Sequence, residues 1–331
     1  MKCTNKITSL FLTIVLTLSV ALSGCAFTGS EKTKMSQEEK DNKIYSELNN
    51  ESDMVMTPYT VREKICVTAG DIQAAGFTSD NSYASSGLFD VNGQTVLESK
   101  SVFDKLYPAS TTKILTAYIA LKYGNLDDIV TVTDNAVNLE SGSQMCGLKS
   151  GDKITLRDIL YGMLLYSGND AAVAVAEHIS GSVSAFVDLM NKEASELMAT
   201  HSHFANPDGL HDDNHYTTAY DLYLIFNACI QNETFTRIID TPSYNGTVTH
   251  SNGTQTMITW NATNYYSQNL VTPPANVTVI GGKTGTTDQA GSCLILYSKS
   301  SAGAPYISII LKATNKTVLY AKMNELISII P

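Results

Sequence analysis

Residues 107–113 read Tyr-Pro-Ala-Ser-Thr-Thr-Lys, and this stretch decides how the rest of the chain is interpreted. Ser110 and Lys113 are three positions apart, and an apolar stripe at helical spacing follows them until Gly124. The pattern predicts a helix that begins after Pro108 and presents the serine and the lysine on one face. A serine hydroxyl is a weak nucleophile, but a lysine of lowered pKa within hydrogen-bond reach can activate it. We therefore expect a nucleophile and its base at a helix start, where backbone N–H groups favour an oxyanion.

The same Ser-x-x-Lys spelling recurs at residues 150–153, so the spacing alone identifies nothing. Ser150 lies in a glycine turn, ahead of Thr155, which is predicted to cap the next helix. No apolar helical pattern follows Ser150 to hold serine and lysine in register. The nucleophile is therefore assigned to Ser110.

A second motif, Ser167-Gly168-Asn169, lies between two predicted helices, so its side chains can face a cleft. Its serine can relay a proton between the lysine and a leaving group, and its asparagine amide can hold the backbone of a peptide. Three other Ser-x-Asn strings begin at residues 79, 243 and 267, and all lie outside the predicted helical region that follows the nucleophile.

A third motif, Lys283-Thr284-Gly285, follows a predicted strand. A strand edge offers backbone groups to an extended peptide, a lysine supplies positive charge for a terminal carboxylate, and a glycine permits close approach. The similar string at residues 149–151 overlaps the glycine turn already rejected.

Strand patterns lie near both ends of the chain, and helical patterns fill the middle. Asn92-Gly93 joins two strand-like runs, 83–91 and 94–98, and is a strong hairpin signal. The remaining predicted strands are 277–281, 292–299 and 306–312, and the predicted helices include 156–166, 170–179, 184–198 and 318–329. The sequence thus predicts an α/β fold in which an antiparallel sheet, built from both chain ends, meets a helical lobe at the site.

The N-terminus carries a targeting signal, because Lys2 and Lys6 precede an apolar stretch over residues 7–22. The following Ser23-Gly24-Cys25 resembles a bacterial lipobox, which predicts a signal peptide over 1–24 and a lipidated Cys25. An ordinary secretory signal cleaved nearby is the alternative. Residues 25–54 are polar and predict a tether, and 55–331 form the predicted catalytic domain. We expect the protein at the extracytoplasmic face of the cell membrane.

Composition excludes one class of partner and limits the cysteine chemistry. The formal charge of −10 leaves no cationic excess for phosphates, so no nucleic acid partner is expected. The cysteines after the lipobox, at residues 66, 146, 229 and 293, have no CxxC spacing. They are interpreted as small buried apolar residues, with one disulfide possible.

The three motifs, in this order, resemble those of the low-molecular-mass penicillin-binding proteins, the serine D-alanyl-D-alanine carboxypeptidases. The similarity runs from about residue 55 to about residue 315 and includes Asn191 and the Asn206-Pro207-Asp208-Gly209 string. It implies the serine β-lactamase and DD-peptidase (transpeptidase-like) fold. It also implies removal of the terminal D-alanine from peptidoglycan stem peptides, with β-lactams as covalent inhibitors, no cofactor or metal, and a monomer.

The resemblance also implies roles for individual residues. The catalytic set is Ser110, Lys113, Ser167, Asn169 and Lys283, and the substrate-binding set is Thr284, Gly285 and Thr286. The backbone N–H groups of Ser110 and Thr286 would form the oxyanion hole.

Two departures from the family pattern stand out. The arginines are Arg62, Arg157 and Arg237, so the arginine that some relatives place after the Lys-Thr-Gly strand is missing, with Thr314 near its position. We also expect no further β-domain or C-terminal amphipathic helix after the catalytic domain, in contrast to many relatives, and a lipid on Cys25 would replace that anchor.

Three other functions remain open. A class A β-lactamase uses a glutamate to activate the deacylating water, but residues 203–210 contain none, so β-lactams are expected to inhibit the protein. A zinc hydrolase is the second alternative, because His201, His203, His211 and His215 lie close together in the sequence, although no HExxH motif accompanies them. A non-catalytic wall-binding protein is the third. Trp260, Tyr265 and Tyr266 are interpreted as packing residues rather than a glycan platform.

Overall fold

The computed structural model of the chain describes residues 65–331. Its strands are β1 (Ser85–Asp90), β2 (Thr95–Lys100), β3 (Ile129–Thr131), β4 (Lys153–Thr155), β5 (Ser243–Thr249), β6 (Gln255–Asn261), β7 (Val277–Thr287), β8 (Gly291–Ser300) and β9 (Pro305–Ala313). Its α-helices are α1 (Lys113–Tyr123), α2 (Asp134–Val137), α3 (Leu156–Tyr161), α4 (Asn169–Ser180), α5 (Val183–Glu196), α6 (Ala219–Cys229), α7 (Glu233–Asp240) and α8 (Lys316–Ser328). A 3-10 turn, Ala109–Thr112, leads into α1, and a π-helical turn, Gly162–Tyr166, continues α3.

The main sheet has five strands in the spatial order β2-β1-β9-β8-β7, and all its pairings are antiparallel. Strand β9 lies beside β1, with Ile309 opposite Gly87, although these residues are far apart in the sequence. The predicted hairpin around Asn92-Gly93 is confirmed, because Asp90 pairs with Thr95. The prediction of a sheet built from both ends of the chain is likewise confirmed.

Each face of this sheet carries its own apolar core, as the period of two along a strand requires. On β9, Ile307, Ile309 and Leu311 join the core beneath the helical lobe. The alternate residues Tyr306 and Ile310 pack with the buried face of α8. The sheet is thus a central layer between the lobe and the C-terminal helix, and both faces are covered.

A second sheet, β3-β4-β5-β6, was not predicted. Strands β3 and β4 have three residues each, too few to show alternation, and β5 and β6 are rich in polar residues. Helices α2 and α7 were also missed. Trp260, on β6, is buried and its Nε1 donates to the Cys146 carbonyl at 3.1 Å, which confirms its packing role.

Two helices in the lobe begin at threonine caps, of which Thr155 was predicted. The Thr155 hydroxyl accepts from the Asp158 N–H at 3.1 Å at the start of α3, and Thr218 does the same for Asp221 at 3.0 Å on α6. The cysteines at residues 66, 146, 229 and 293 are buried and free, as interpreted from the sequence, and form no disulfide with one another.

The predicted signal peptide, the lipidated Cys25 and the tether lie outside the described residues. Within 65–331, no single helix is long and apolar enough to span a membrane. Helices α4 and α5 are long and apolar enough only when they are counted together, and the pair is bent by 85°.

Candidate active site

The predicted nucleophile, Ser110, lies in a tight 3-10 turn that enters α1. Helical structure begins at Ala109, directly after Pro108 as predicted, but its first four residues form the 3-10 turn and α1 itself begins at Lys113. Ala109 has a φ of +47°, which is unusual for a residue with a side chain and marks a strained entry. The Thr111 and Thr112 hydroxyls donate to the carbonyls of Pro108 and Ala109 at 2.7 and 2.8 Å. These bonds hold the turn in place.

Lys113 has three hydrogen-bond partners, and one of them is the predicted nucleophile. Its Nζ lies 3.0 Å from Ser110 Oγ, 2.6 Å from Asn169 Oδ1 and 2.6 Å from the Asp208 carbonyl oxygen. Burial lowers the pKa of Lys113 to about 8, against the opposing effect of the Asp208 charge.

The neutral form of this amine has a defined orientation. It carries two N–H bonds and one lone pair. The Asn169 and Asp208 oxygens can only accept, so they take the two N–H bonds and leave the lone pair for the Ser110 hydroxyl. Lys113 is thus oriented as a base toward Ser110.

Ser167 and Lys283 form a second pair, 116 residues apart in sequence. Lys283 Nζ donates to Ser167 Oγ and to the Thr284 carbonyl, both at 2.8 Å. Burial, and secondarily the charge of Lys113, place the pKa of Lys283 well below its usual range. Ser167 itself has a φ of +68° at the junction between the π-helical turn and α4. The backbone bend there turns its hydroxyl toward β7.

Two of the predicted site residues are buried and bind other groups of the protein, and their expected contacts with a substrate stay predictions. Asn169 is only 4% exposed and its Oδ1 accepts from Lys113, so this oxygen positions the base. Lys283 is only 1% exposed, so its ammonium is not presented at the surface for a carboxylate. The motif sequences do not indicate that the side chains of Asn169 and Lys283 are buried.

The Lys-Thr-Gly motif lies inside β7, not just beyond a strand that ends at residue 281, so that boundary was wrong. Pairing with β8 continues to Thr287, opposite Gly291. A Cβ added at Gly285 would lie 2.8 Å from the Pro108 carbonyl oxygen and 3.1 Å from the Ser110 nitrogen. The strand therefore runs directly against the nucleophile turn, and only a glycine permits that approach. Thr284 Oγ1 is 2.7 Å from Thr263 Oγ1.

The predicted site residues line or adjoin one cleft between the helical lobe and the main sheet. Ser110, Ser167, Thr284, Gly285 and Thr286 line it, together with Gln144, Thr263, Cys293, Lys316, Leu319 and Tyr320. Lys113 and Lys283 lie behind this lining and bind Ser110 and Ser167, and Asn169 binds Lys113. All the sequence-predicted catalytic and substrate-binding residues are therefore brought together.

The loop that carries Asp208 was recognised only as part of the family string, and its contact with Lys113 was missed. Gly209 has a φ of +83°, and a Cβ there would overlap the Ala109 carbonyl, so this loop packs directly on the nucleophile turn. Asn206 Oδ1 accepts from the Gly209 N–H at 2.7 Å and stabilises the bend. Glycine is required here both by the conformation and by the lack of space.

His215 stabilises the 3-10 turn that carries Ser110 through a contact with Thr112. Its Nδ1 accepts from the Ala205 N–H at 3.2 Å, so its Nε2 carries the proton and donates to Thr112 Oγ1 at 2.8 Å. Burial lowers the pKa of His215 to about 4, which keeps the ring neutral as these contacts require.

The other histidines raised by the zinc hypothesis have partners of their own. His203 Nδ1 lies 2.6 Å from the Asn214 carbonyl oxygen, and His211 packs edge-on against Tyr107. Among residues 65–331, no three His, Cys, Asp or Glu side chains are arranged to hold a metal ion.

Asp170 binds a neighbouring loop through backbone contacts that were not predicted from the sequence. Its carboxylate accepts from the N–H groups of Cys146 at 2.7 Å and of Gly147 and Leu148 at 3.2 Å. Burial raises the pKa of Asp170 despite these bonds. These bonds tie residues 146–148, which lie between α2 and β4, to the start of α4, and the neighbouring Gln144 lines the cleft.

A buried lysine in contact with a serine, beside an antiparallel strand edge, defines a serine enzyme of the β-lactamase and DD-peptidase fold. Residues 73–315 match the S11 peptidase family, D-alanyl-D-alanine carboxypeptidase. The chain belongs to this family.

Known relatives and solved structures agree with that membership. A D-alanyl-D-alanine carboxypeptidase of Streptomyces sp. is 33% identical over 75% of this chain and 87% of its own length. DacA of Haemophilus influenzae is 32% identical over 68% of this chain, but the match spans only 55% of that protein. The crystal structure of a Streptomyces DD-transpeptidase superposes with a TM-score of 0.70 at 26% identity, over 77% of this chain and 98% of its own. A Mycobacterium tuberculosis D-alanyl-D-alanine carboxypeptidase gives a TM-score of 0.67 at 28% identity, over 77% and 94%.

Proposed function

We propose that this protein is a serine D-alanyl-D-alanine carboxypeptidase that removes the terminal D-alanine from peptidoglycan stem peptides. The observation that carries the proposal is the contact of 3.0 Å between Lys113 Nζ and Ser110 Oγ, with the other two Lys113 contacts made to carbonyl oxygens. Family membership and the names of the relatives support the substrate class.

Acylation follows from the contacts of the site. Ser110 Oγ attacks the carbonyl carbon of the penultimate D-alanine, and its proton passes to the neutral Lys113 amine. The N–H groups of Ser110 and Thr286 stabilise the oxyanion beside the edge of β7. The C–N bond then breaks. The departing amine takes this proton from Lys113 by way of Ser167, whose hydroxyl is held by Lys283 at 2.8 Å, and Lys113 is neutral again. Water later attacks the acyl-enzyme, releasing the shortened peptide and free Ser110.

A β-lactam would acylate Ser110 by the same route, with its ring amide as the scissile bond. Residues 203–210 carry no glutamate, and the Asp208 carboxylate accepts from the Leu210 N–H at 2.8 Å. This loop therefore lacks the glutamate base that class A β-lactamases use. We expect a long-lived adduct and inhibition, not efficient β-lactam hydrolysis.

The location of the protein is also a proposal. The apolar stretch 7–22 and the string Leu22-Ser23-Gly24-Cys25 support a lipid anchor at the extracytoplasmic face of the membrane, and the family resemblance supports a monomer. Mass spectrometry of the mature N-terminus tests the anchor: a diacylglyceryl group on Cys25 is expected, and an unmodified residue at the cleavage site would contradict it.

Release of D-alanine from a peptide ending in D-Ala-D-Ala tests the activity. Ser110→Ala should lower the rate by at least about 1,000-fold, because it removes the nucleophile. Ser150→Ala is the matched control, since Ser150 has the same Ser-x-x-Lys spelling but lies exposed in a turn. It should keep the wild-type rate. Full activity of Ser110→Ala would refute the mechanism.

A further inference from the structure

We infer that Lys316 binds the terminal carboxylate of the substrate and so determines the preference of the enzyme for a free peptide C-terminus. This inference rests on the proposed function and assigns a specificity residue within the same cleft. The substrate class requires such a residue, because a carboxylate that leaves water for a cleft needs a cation or several donors.

Lys316 is the charged member of the cleft lining, and it is exposed. The two lysines of the motifs are buried and already paired, so they are not available to bind the substrate carboxylate. Lys113 and Lys283 are 0% and 1% exposed, and their Nζ atoms donate to protein oxygens. Thr314, the residue expected near the missing arginine, is not part of the lining, and its N–H donates to the Ser82 carbonyl at 3.0 Å.

The ammonium of Lys316 is free to pair with a ligand. Across residues 65–331, no carboxylate pairs with it, whereas Lys322 on the same helix pairs with Asp80 at 3.0 Å and Glu325 at 2.7 Å. The Nζ of Lys316 lies 6.0 Å from the centroid of the Tyr265 ring. This weak contact guides the side chain without neutralising its charge.

The wall that carries Lys316 is rigid. Lys316, Leu319 and Tyr320 are spaced i, i+3 and i+4 on α8, so they share the helix face that borders the cleft. Tyr320 stacks on Tyr265 with ring centroids 4.5 Å apart, and its hydroxyl accepts from the Tyr265 N–H at 2.9 Å. The helix face that carries this cation therefore borders the cleft that contains Ser110.

Lys316 is also placed where helix stability alone would not select it. It is the first residue of α8, which Asn315 caps by accepting from the Val318 N–H at 3.0 Å. A cation at a helix N-terminus opposes the positive end of the helix dipole. A residue that breaks a local rule beside a reactive cleft is expected to have a function.

The experiment compares two substrates in Lys316→Met: a peptide ending in D-Ala-D-Ala and the same peptide with a C-terminal amide. Loss of a charge-assisted contact should lower kcat/KM for the free acid by roughly tenfold or more and leave the amide nearly unchanged. Lys316→Arg should restore most of the preference. Lys299→Met removes an exposed lysine on β8, outside the cleft, and it should behave as wild type.

Benzylpenicillin and its methyl ester provide a second arm that does not depend on D-alanine release. Lys316→Met should slow acylation of Ser110 by the acid but not by the ester. Equal selectivity in wild type and Lys316→Met, in either arm, would overturn the inference. If the wild type forms the penicillin adduct but releases no D-alanine, the proposed function fails, and the penicillin arm still decides the role of Lys316.

Discussion

At the scale of single residues, the chemistry depends on how Lys113 satisfies its hydrogen bonds. As an ammonium it can donate to all three of its partners, so the charged form is stable even though the side chain is fully buried. Loss of one proton frees the lone pair that faces Ser110. The two states differ by one proton and need no movement of the backbone.

This arrangement predicts the pH dependence of acylation. Because the pKa of Lys113 is lowered to about 8, and because the neutral amine is the base, the rate should rise with pH and level off above that value. Below it, the rate should change by about tenfold per pH unit. Second-order acylation by a fluorescent penicillin, followed from about pH 6 to about pH 10, measures this profile.

Lys113→Arg provides the comparison, because an arginine stays protonated and cannot act as the base. This variant should acylate at least about 100-fold more slowly at every pH. A wild-type profile that is flat, or that falls as pH rises, would contradict the assignment of Lys113 as the base.

The residues that react could be predicted from the sequence, but the residues that position Ser110 and Lys113 could not. Ser110 and Lys113 are one turn apart, so their contact follows from local geometry. The partners of Lys113 across the fold include the carbonyl of Asp208, and a backbone carbonyl leaves no mark in a motif. His215 was noticed for a possible zinc role, because a count of histidines does not reveal that its ring is buried under Thr112.

At the scale of secondary-structure elements, the main sheet carries a buried carboxyl group that has no chemical role in the site. Glu98, on β2 opposite Leu88, is 1% exposed. Its Oε1 accepts from Ser86 Oγ at 2.9 Å, and within the described chain its Oε2 has no hydrogen-bond partner. Burial raises the pKa of Glu98 to about 7. Ionisation of this group therefore opposes folding.

Glu98→Gln should stabilise the protein above neutral pH. The folded state holds its proton up to about pH 7, whereas the unfolded chain loses it near 4.5, so stability falls as pH rises through this window. At pH 8 the expected gain in the free energy of unfolding is up to about 3 kcal/mol, and at pH 4 it should nearly vanish. Urea unfolding at both pH values measures the difference.

Glu196→Gln is the control for this experiment, because Glu196 is exposed at the end of α5. It should change the free energy of unfolding little at either pH. A Glu98→Gln variant that is less stable than wild type at pH 8 would contradict the account of the buried carboxyl group.

Elements with strong local signals were predicted well. The Asn92-Gly93 hairpin, the α1 stripe and the last strands all show their period within a few residues. The β3 to β6 sheet was missed because its strands are short or polar, and their pairing depends on partners elsewhere in the chain. The extent of β7 was missed because pairing with β8, not its own sequence, continues it to Thr287.

At the scale of the whole molecule, the site exists because two distant parts of the chain meet. The lobe contributes Ser110, Lys113 and Ser167, and the sheet contributes Lys283 on β7. Gly285 is the point of closest approach between the two, since a Cβ there would press on the Pro108 carbonyl and the Ser110 nitrogen. The order of the motifs predicted this meeting, but only the fold gives its distances. Function therefore depends on the packing between sheet and lobe.

Mass spectrometry of the intact protein after penicillin treatment tests the central claim most directly. Wild type and Ser150→Ala should each gain the mass of one penicillin, and peptide mapping should place it on Ser110 and show that it persists after the free drug is removed. Ser110→Ala should gain nothing. A wild-type protein that stays unmodified, or that carries the adduct on another residue, would contradict the account.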